Sequence, residues 1–157
     1  MKKINVLGVG AALVDQQFSI DDSLLKDLAL IKGSMDLKEQ ETQTQTYEKL
    51  VGLYGASQDA CGGSSTNTIY AAAILGSKCS FIGKVADDKN GRFYVENLNK
   101  ANIKNKCMSS DEGVSGNCLV MVSPDAERTM STFLGISSEL KVSDLDEEMI
   151  KEAEIVY

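Results

Sequence analysis

The stretch Cys61-Gly62-Gly63-Ser64-Ser65-Thr66-Asn67-Thr68 holds the densest set of chemically useful groups in the chain. Two adjacent glycines are followed by hydroxyl and amide side chains, then by an apolar run over residues 69–75 and Gly76. This pattern predicts a loop that feeds a helix N-terminus, where backbone N–H groups and the Asn67 amide can gather around a polar ligand. Adjacent glycines let the backbone take positive φ and come close to a ligand, at an entropic cost. Asp15 follows an apolar run at residues 4–9 and adds a carboxylate able to accept two vicinal hydroxyls. Asn67 can both donate to and accept from a hydroxyl. Gly62, Gly63, Asn67 and Asp15 together point to a small polyhydroxylated or anionic molecule.

Other chemistries are excluded by what the chain lacks. There is no histidine among the 157 residues, so imidazole acid–base catalysis, His metal sites and Ser-His or Cys-His dyads are ruled out. Cys61, Cys79, Cys107 and Cys118 have no zinc-ribbon or Cys-x-x-Cys spacing, and reduced, buried thiols in a cytoplasmic protein are expected. Cys61 abuts the glycines, but no cationic sequence neighbour would lower its pKa, so a packing role fits it better. The formal net charge of −7 argues against nucleic acid or an anionic membrane as partner. No apolar run is long enough to span a bilayer, and Asp15 follows Lys2-Lys3 and the first apolar run without a cleavage site.

The elements that must position these residues alternate between strand and helix. Residues 4–9 read as a buried strand, 23–31 as a short helix and 36–54 as a longer one. The glycine loop comes next, then a compact alanine-rich helix over 66–75 with Gly76 as its C-cap. A buried strand is expected at 79–85. Asp87-Asp88-Lys89-Asn90-Gly91 should turn into a helix that faces a core with Phe93, Val95, Leu98 and Ala101. A short strand is expected at 106–109, and strands at 117–122 and 128–134 are joined by the turn Ser123-Pro124-Asp125-Ala126-Glu127. Ser143 is expected to cap an acidic, solvated helix, with Asp146 in the box position. Residues 155–157 read as the start of another buried strand. This alternation implies an α/β sheet, and the sheet reads as unfinished, as in the first part of a longer protein.

Gly8-Val9-Gly10 invites a dinucleotide-binding reading, but Leu13 stands where a third glycine belongs. Asp15 also lies too close to serve as the ribose-binding acid.

Five pieces in order resemble the ribokinase and adenosine kinase (PfkB carbohydrate kinase) family. They are the strand with Gly8-x-Gly10 and Asp15; Lys32-Gly33-Ser34-Met35; Gly62-Gly63-x-x-x-Asn67; Phe81-Ile82-Gly83-Lys84-Val85-x-Asp87-Asp88-x-x-Gly91; and Asp125-Ala126-Glu127-Arg128-Thr129-Met130. The second and fifth look most like the adenosine-kinase-like branch. Ala11, Ser65, Ile69 and Ala86 depart from the family's usual residues. The resemblance implies an α/β, ribokinase-like three-layer sandwich with a small β-sheet lid, incomplete here. Residues 1–157 would be its N-terminal part, with lid strands near 15–20 and 117–134. It further implies phosphorylation of a sugar or nucleoside hydroxymethyl group by ATP with Mg2+, adenosine being the favoured acceptor. Asp15 and Asn67 would hold ribose hydroxyls. The Gly62-Gly63 backbone would border the sugar and act as a hinge, and Arg128 would assist near the phosphates.

The family's Gly-Ala-Gly-Asp loop, which carries the catalytic base and anion hole, has no counterpart before Tyr157. The resemblance therefore implies that this chain binds the acceptor without turning it over, with ATP and Mg2+ held mainly elsewhere. It is compatible with a monomer or a lid-mediated dimer. Two rival readings stay open: a fructose-type or other carbohydrate kinase, and a non-catalytic Rossmann-type nucleotide-binding or sensor module.

Overall fold

The computed structural model describes residues 2–157. In chain order the elements are β1 (Ile4–Val9), β2 (Leu13–Ser19), α1 (Asp22–Asp27), β3 (Met35–Leu37), α2 (Gln40–Tyr54), β4 (Gln58–Gly62), α3 (Ser64–Ile74), β5 (Cys79–Ala86), α4 (Lys89–Lys100), β6 (Lys104–Ser110), β7 (Ser115–Val122), β8 (Arg128–Gly135), α5 (Glu147–Glu152) and β9 (Ala153–Val156). They form two compact units. Of the described residues, the first takes 2–14, 61–116 and 134–157, and the second takes 15–60 and 117–133.

The first unit is built on a parallel sheet ordered β6-β5-β1-β9. Val6 pairs with Cys79 and Val9 with Ile82, Ile4 pairs with Ala153, and Ser80 pairs with Lys104. Parallel neighbours need crossovers that cover the sheet faces, so its strands bury side chains on both sides. One β5 face sends Cys79, Phe81 and Val85 into a core with Ile69 of α3 and Tyr94 and Leu98 of α4. Ile82 on the other face joins Ile4 and Leu7 of β1 against Met149 and Ala153. Each fully buried side chain of this kind contributes about 1.5–3 kcal/mol.

Glycines set how closely the helices approach. A Cβ on Gly8 would lie 2.7 Å from Ser65 Oγ and 2.9 Å from Ile69 Cγ2, so the Gly8-x-Gly10 pair lets α3 pack down on β1. A Cβ on Gly91 would lie 2.0 Å from the Ala86 carbonyl oxygen. Asp88 caps α4 there, its Oδ1 accepting from Gly91 N–H at 2.7 Å and its Oδ2 from Ser115 N–H at 2.8 Å.

The second unit contains most of a sheet ordered β3-β8-β7-β2-β4. The chain passes between the units inside β2, β4, β7 and β8. Helix α2 covers one face of this sheet, where Leu50 packs with Phe18, Ile20, Leu119 and Met121. A buried polar ladder lies beside that apolar core. Gln43 of α2 donates to Asn117 Oδ1 at 3.1 Å and to the Ser131 carbonyl at 2.9 Å. Ser131 Oγ donates back to Gln43 Oε1 at 2.7 Å, and Asn117 Nδ2 donates to Gln16 Oε1 at 2.8 Å. Buried amides are tolerable only when satisfied in this way.

Several local expectations are corrected. The helix expected over 36–54 begins at Gln40, because Met35–Leu37 pair with Met130, Ser131 and Thr132 as a parallel edge strand. The helix expected over 23–31 spans only Asp22–Asp27. It ends in a turn with Ala29 at φ +51°, closed by Leu30 N–H to the Leu25 carbonyl. Residues 58–62 form β4 where a loop was expected. Ser143 lies in a single 3-10 turn at Val142–Asp144 and caps nothing. Asp146 is the N-cap of α5, its carboxylate accepting from the Glu148 and Met149 amides at 3.0 Å each, and the negative charge suits the helix N-terminus. The acidic run therefore makes two short pieces instead of one solvated helix. Gly76 does follow α3 as expected, at φ +93°.

Replacing Gly8 with Ala should cost about 1–3 kcal/mol of stability by overpacking α3 against β1. The urea midpoint should fall with the slope unchanged. An unaltered midpoint would mean that α3 does not press on β1 at Gly8.

Candidate functional site

Gly62, Gly63 and Asn67 come together in the first unit, where β4 ends and α3 begins. Only one of the adjacent glycines uses its conformational freedom. Gly63 sits at φ +93°, and a Cβ there would lie 2.5 Å from the Ala11 carbonyl oxygen. The junction is thus pressed against the chain leaving β1. Gly63 is the N-cap of α3 and provides no side chain, so its carbonyl makes the first helical bond with Asn67 N–H at 2.9 Å while the first-turn amides carry no side-chain cap. Such amides, at the positive end of an 11-residue helix, suit an anionic or hydroxyl oxygen.

Asn67 is exposed at the end of that turn. Ser65 is 7% exposed, and its Oγ has no hydrogen-bond partner among the described residues. Strands β5 and β6 follow on one side of β1 while β9 lies on its other side. The carboxyl ends beside such a reversal are where α/β sheets place ligands.

Asp15 and Arg128 come together in the second unit. Along β2, Gln16 and Phe18 face α2, so Asp15 and Gln17 face the other way. The same alternation places Cys118 of β7 and Thr132 of β8 on the Asp15 side, where Thr132 Oγ1 donates to Cys118 Sγ at 3.3 Å. Asp15 is half-buried. Loss of water lifts its carboxyl above the usual range, and the Arg128 guanidinium pulls it partly back. Burial also raises the Cys118 thiol, so it stays protonated. Cys118 and Thr132 were not singled out from sequence. Their signal is the period-two alternation of β7 and β8, which becomes useful only once one face is assigned to a core.

Lys32 bridges Asp22 at 3.0 Å and Asp125 at 2.8 Å, and Gly33 N–H donates to Thr129 Oγ1 at 3.0 Å. The Lys-Gly-Ser-Met piece and the Arg-Thr-Met piece therefore belong to one local assembly. Asp87 pairs with Arg92 at 2.6 Å. A cavity of about 400 Å³ lies beside that pair, walled by Val85, Val95 and Cys107. It is mainly apolar, and burial lifts the Cys107 thiol to about 12, so it offers no nucleophile near neutral pH.

Residues 29–157 match the family described as pfkB family carbohydrate kinase. The chain belongs to this family. Its fold is the ribokinase-like α/β fold of the solved relatives. An adenosine kinase from Sinorhizobium meliloti superposes with a TM-score of 0.90 at 30% identity, over 99% of this chain and 46% of that one. A probable sugar kinase from Rhizobium etli CFN 42 gives 0.91 at 28% identity, over 100% of this chain and 47% of that one. Among curated relatives, a 5-dehydro-2-deoxygluconokinase from Geobacillus kaustophilus is 28% identical over 143 residues, 88% of this chain and 40% of that protein. Probable fructokinase-7 from Arabidopsis thaliana is 31% identical over 105 residues, 65% of this chain and 31% of that protein. The chain thus spans less than half the length of these proteins. Among the described residues no helix is long and apolar enough to cross a membrane.

Because Asp15 is raised, the folded state binds its proton more tightly than the unfolded chain does. Stability therefore falls as pH rises from the unfolded carboxylate value to the folded one, and the penalty persists above that window. Asp15→Asn should remove this penalty: at neutral pH the variant should melt no lower than the parent, and that part of the stability–pH curve should flatten. A lower melting temperature at neutral pH would refute the assignment.

Proposed function

We propose that this chain is the acceptor-binding part of an ATP-dependent kinase that phosphorylates the hydroxymethyl group of a ribosyl compound, adenosine being the favoured acceptor. The observation that carries this reading is the uncapped N-terminus of α3 at Gly62-Gly63, pressed against the end of β1 beside the strand-order reversal. Asp15 and Asn67 hold the ribose hydroxyls, the carboxylate accepting and the amide both donating and accepting. The Gly62-Gly63 backbone borders the sugar. The strands near 15–20 and 117–134, whose face away from α2 carries Asp15, Cys118 and Thr132, are the lid strands in this reading. Adenosine is favoured over a free sugar by the 30% identity that extends over nearly the whole chain to an adenosine kinase.

A second reading, a free-sugar kinase, draws support from the curated relatives with sugar-kinase names. Asp15 and Asn67 keep the same roles in it, since either acceptor offers vicinal hydroxyls.

No group of three or more His, Cys, Asp or Glu side chains among the described residues could hold a cation. We propose that ATP and Mg2+ are held mainly by residues beyond those described here, and route no step through them. Phosphoryl transfer depends on positioning and on electrostatic stabilisation of the transferred group. The contribution of this chain is the positioning of the acceptor.

The test is product formation by the full-length protein, with ATP and Mg2+, across adenosine, inosine, ribose, fructose and 5-dehydro-2-deoxygluconate. Adenosine should be phosphorylated, and Asp15→Ala should lower kcat/KM by about 100-fold or more, as expected when a charged hydrogen-bond acceptor is removed from a buried site. Residues 1–157 alone should form no product. Turnover confined to a free sugar would select the second reading. No turnover of any acceptor by the folded protein would leave a non-catalytic binding module.

A further inference from the structure

The glycine junction and the Asp-Asp-x-x-Gly motif lie about thirty residues apart in sequence, yet one side chain joins them. Tyr94 is wholly buried on α4, one turn beyond Gly91. Its hydroxyl is hydrogen-bonded to Thr66 Oγ1, in the first turn of α3, and donates to the Gly62 carbonyl at 3.4 Å. With the phenol proton directed to Gly62, Thr66 is the donor in the first bond. The Tyr94 backbone carbonyl in turn accepts from Cys61 Sγ at 3.6 Å. One residue thus touches Cys61, Gly62 and Thr66, on both sides of Gly63. Burial raises the phenol's pKa, so it keeps its proton throughout the physiological range.

Tyr94 is itself held in place. Asp88 caps α4 and ties it to Ser115, Gly91 lets the helix approach the Ala86 carbonyl, and the Phe81 ring lies 5.9 Å from the Tyr94 ring. From Asp88 to Tyr94 the support is continuous, while the junction it reaches has no side-chain cap of its own.

We infer that Tyr94 is a positioning residue for the acceptor site: its hydroxyl holds Gly62 and Thr66 so that the backbone across Gly63 and the first-turn amides of α3 are preset for the ligand. Within this arrangement the Asp88–Gly91 motif acts as the mount for Tyr94. The inference rests on the reading of the junction as the acceptor site.

The test compares Tyr94→Phe with Val95→Ala, which trims the same core from the same helix and removes no hydroxyl. Two readouts are needed: acceptor kinetics of the whole protein with saturating ATP and Mg2+, and hydrogen exchange at the amides of residues 63–67. Tyr94→Phe should raise KM for the acceptor about five- to tenfold with kcat nearly unchanged, as for loss of one net hydrogen bond expressed in binding. It should also speed exchange at 63–67 selectively. Val95→Ala should lower the melting temperature and leave KM unchanged. If the parent is active and Tyr94→Phe keeps its KM, or if both variants shift KM equally, the inference is overturned. If the parent phosphorylates no acceptor, the proposed function fails. The exchange readout then decides the role of Tyr94, and unchanged exchange at 63–67 overturns it.

Discussion

The closeness of α3 to β1 is the constraint on which the first unit depends. Gly8 removes the side chain that would collide with Ser65 and Ile69, and Gly63 removes the one that would collide with the Ala11 carbonyl. With both gaps open, Ile69 reaches full burial against Phe81 and Tyr94. The N-terminus of α3 is then delivered to the carboxyl end of β1. Packing and site geometry are therefore one requirement. The same approach that buries apolar surface also aims the uncapped amides, and a Cβ at either glycine would disturb both together.

The second unit meets a different constraint. Its α2-facing side carries amides and a serine as well as Leu50 and its neighbours, and the two sets bury together only because Gln43, Ser131, Asn117 and Gln16 satisfy one another. A register slip of one residue in β2 or β7 would break that ladder and move Asp15 or Cys118 to the wrong face. The ladder thus specifies which residues are left to face away from α2. On that face Asp15 is half-buried, and loss of water lifts its carboxyl above the usual range while Arg128 pulls it partly back.

Much was legible in the residues because it depends on local rules. Continuous apolar runs marked β1 and β5 as strands buried on both faces. Gly76 marked the end of α3, and Asp88 with Gly91 marked the start of α4. The ordered motifs marked the family, which the match over residues 29–157 shows. The misreadings arose where a distant partner overrode local preference. Residues 35–37 satisfy their backbone on β8, Gln58–Gly62 form a strand in the β2-containing sheet, and Asp146 outcompetes Ser143 as a cap because a carboxylate can receive two amides at once.

The sequence by itself determined the α/β class and the candidate residues Asp15, Gly62, Gly63 and Asn67, because these follow from residue type and short-range spacing. Tertiary structure alone decided that Gly8 serves packing, that Gly63 is the member of the Gly62-Gly63 pair that takes positive φ, that Cys118 and Thr132 share a sheet face with Asp15, and that Tyr94 ties two motifs together. Those facts depend on which atoms meet across elements far apart in the chain. Neither propensity nor periodicity contains that information, since both describe a residue's neighbours along the chain and not those that folding brings against it.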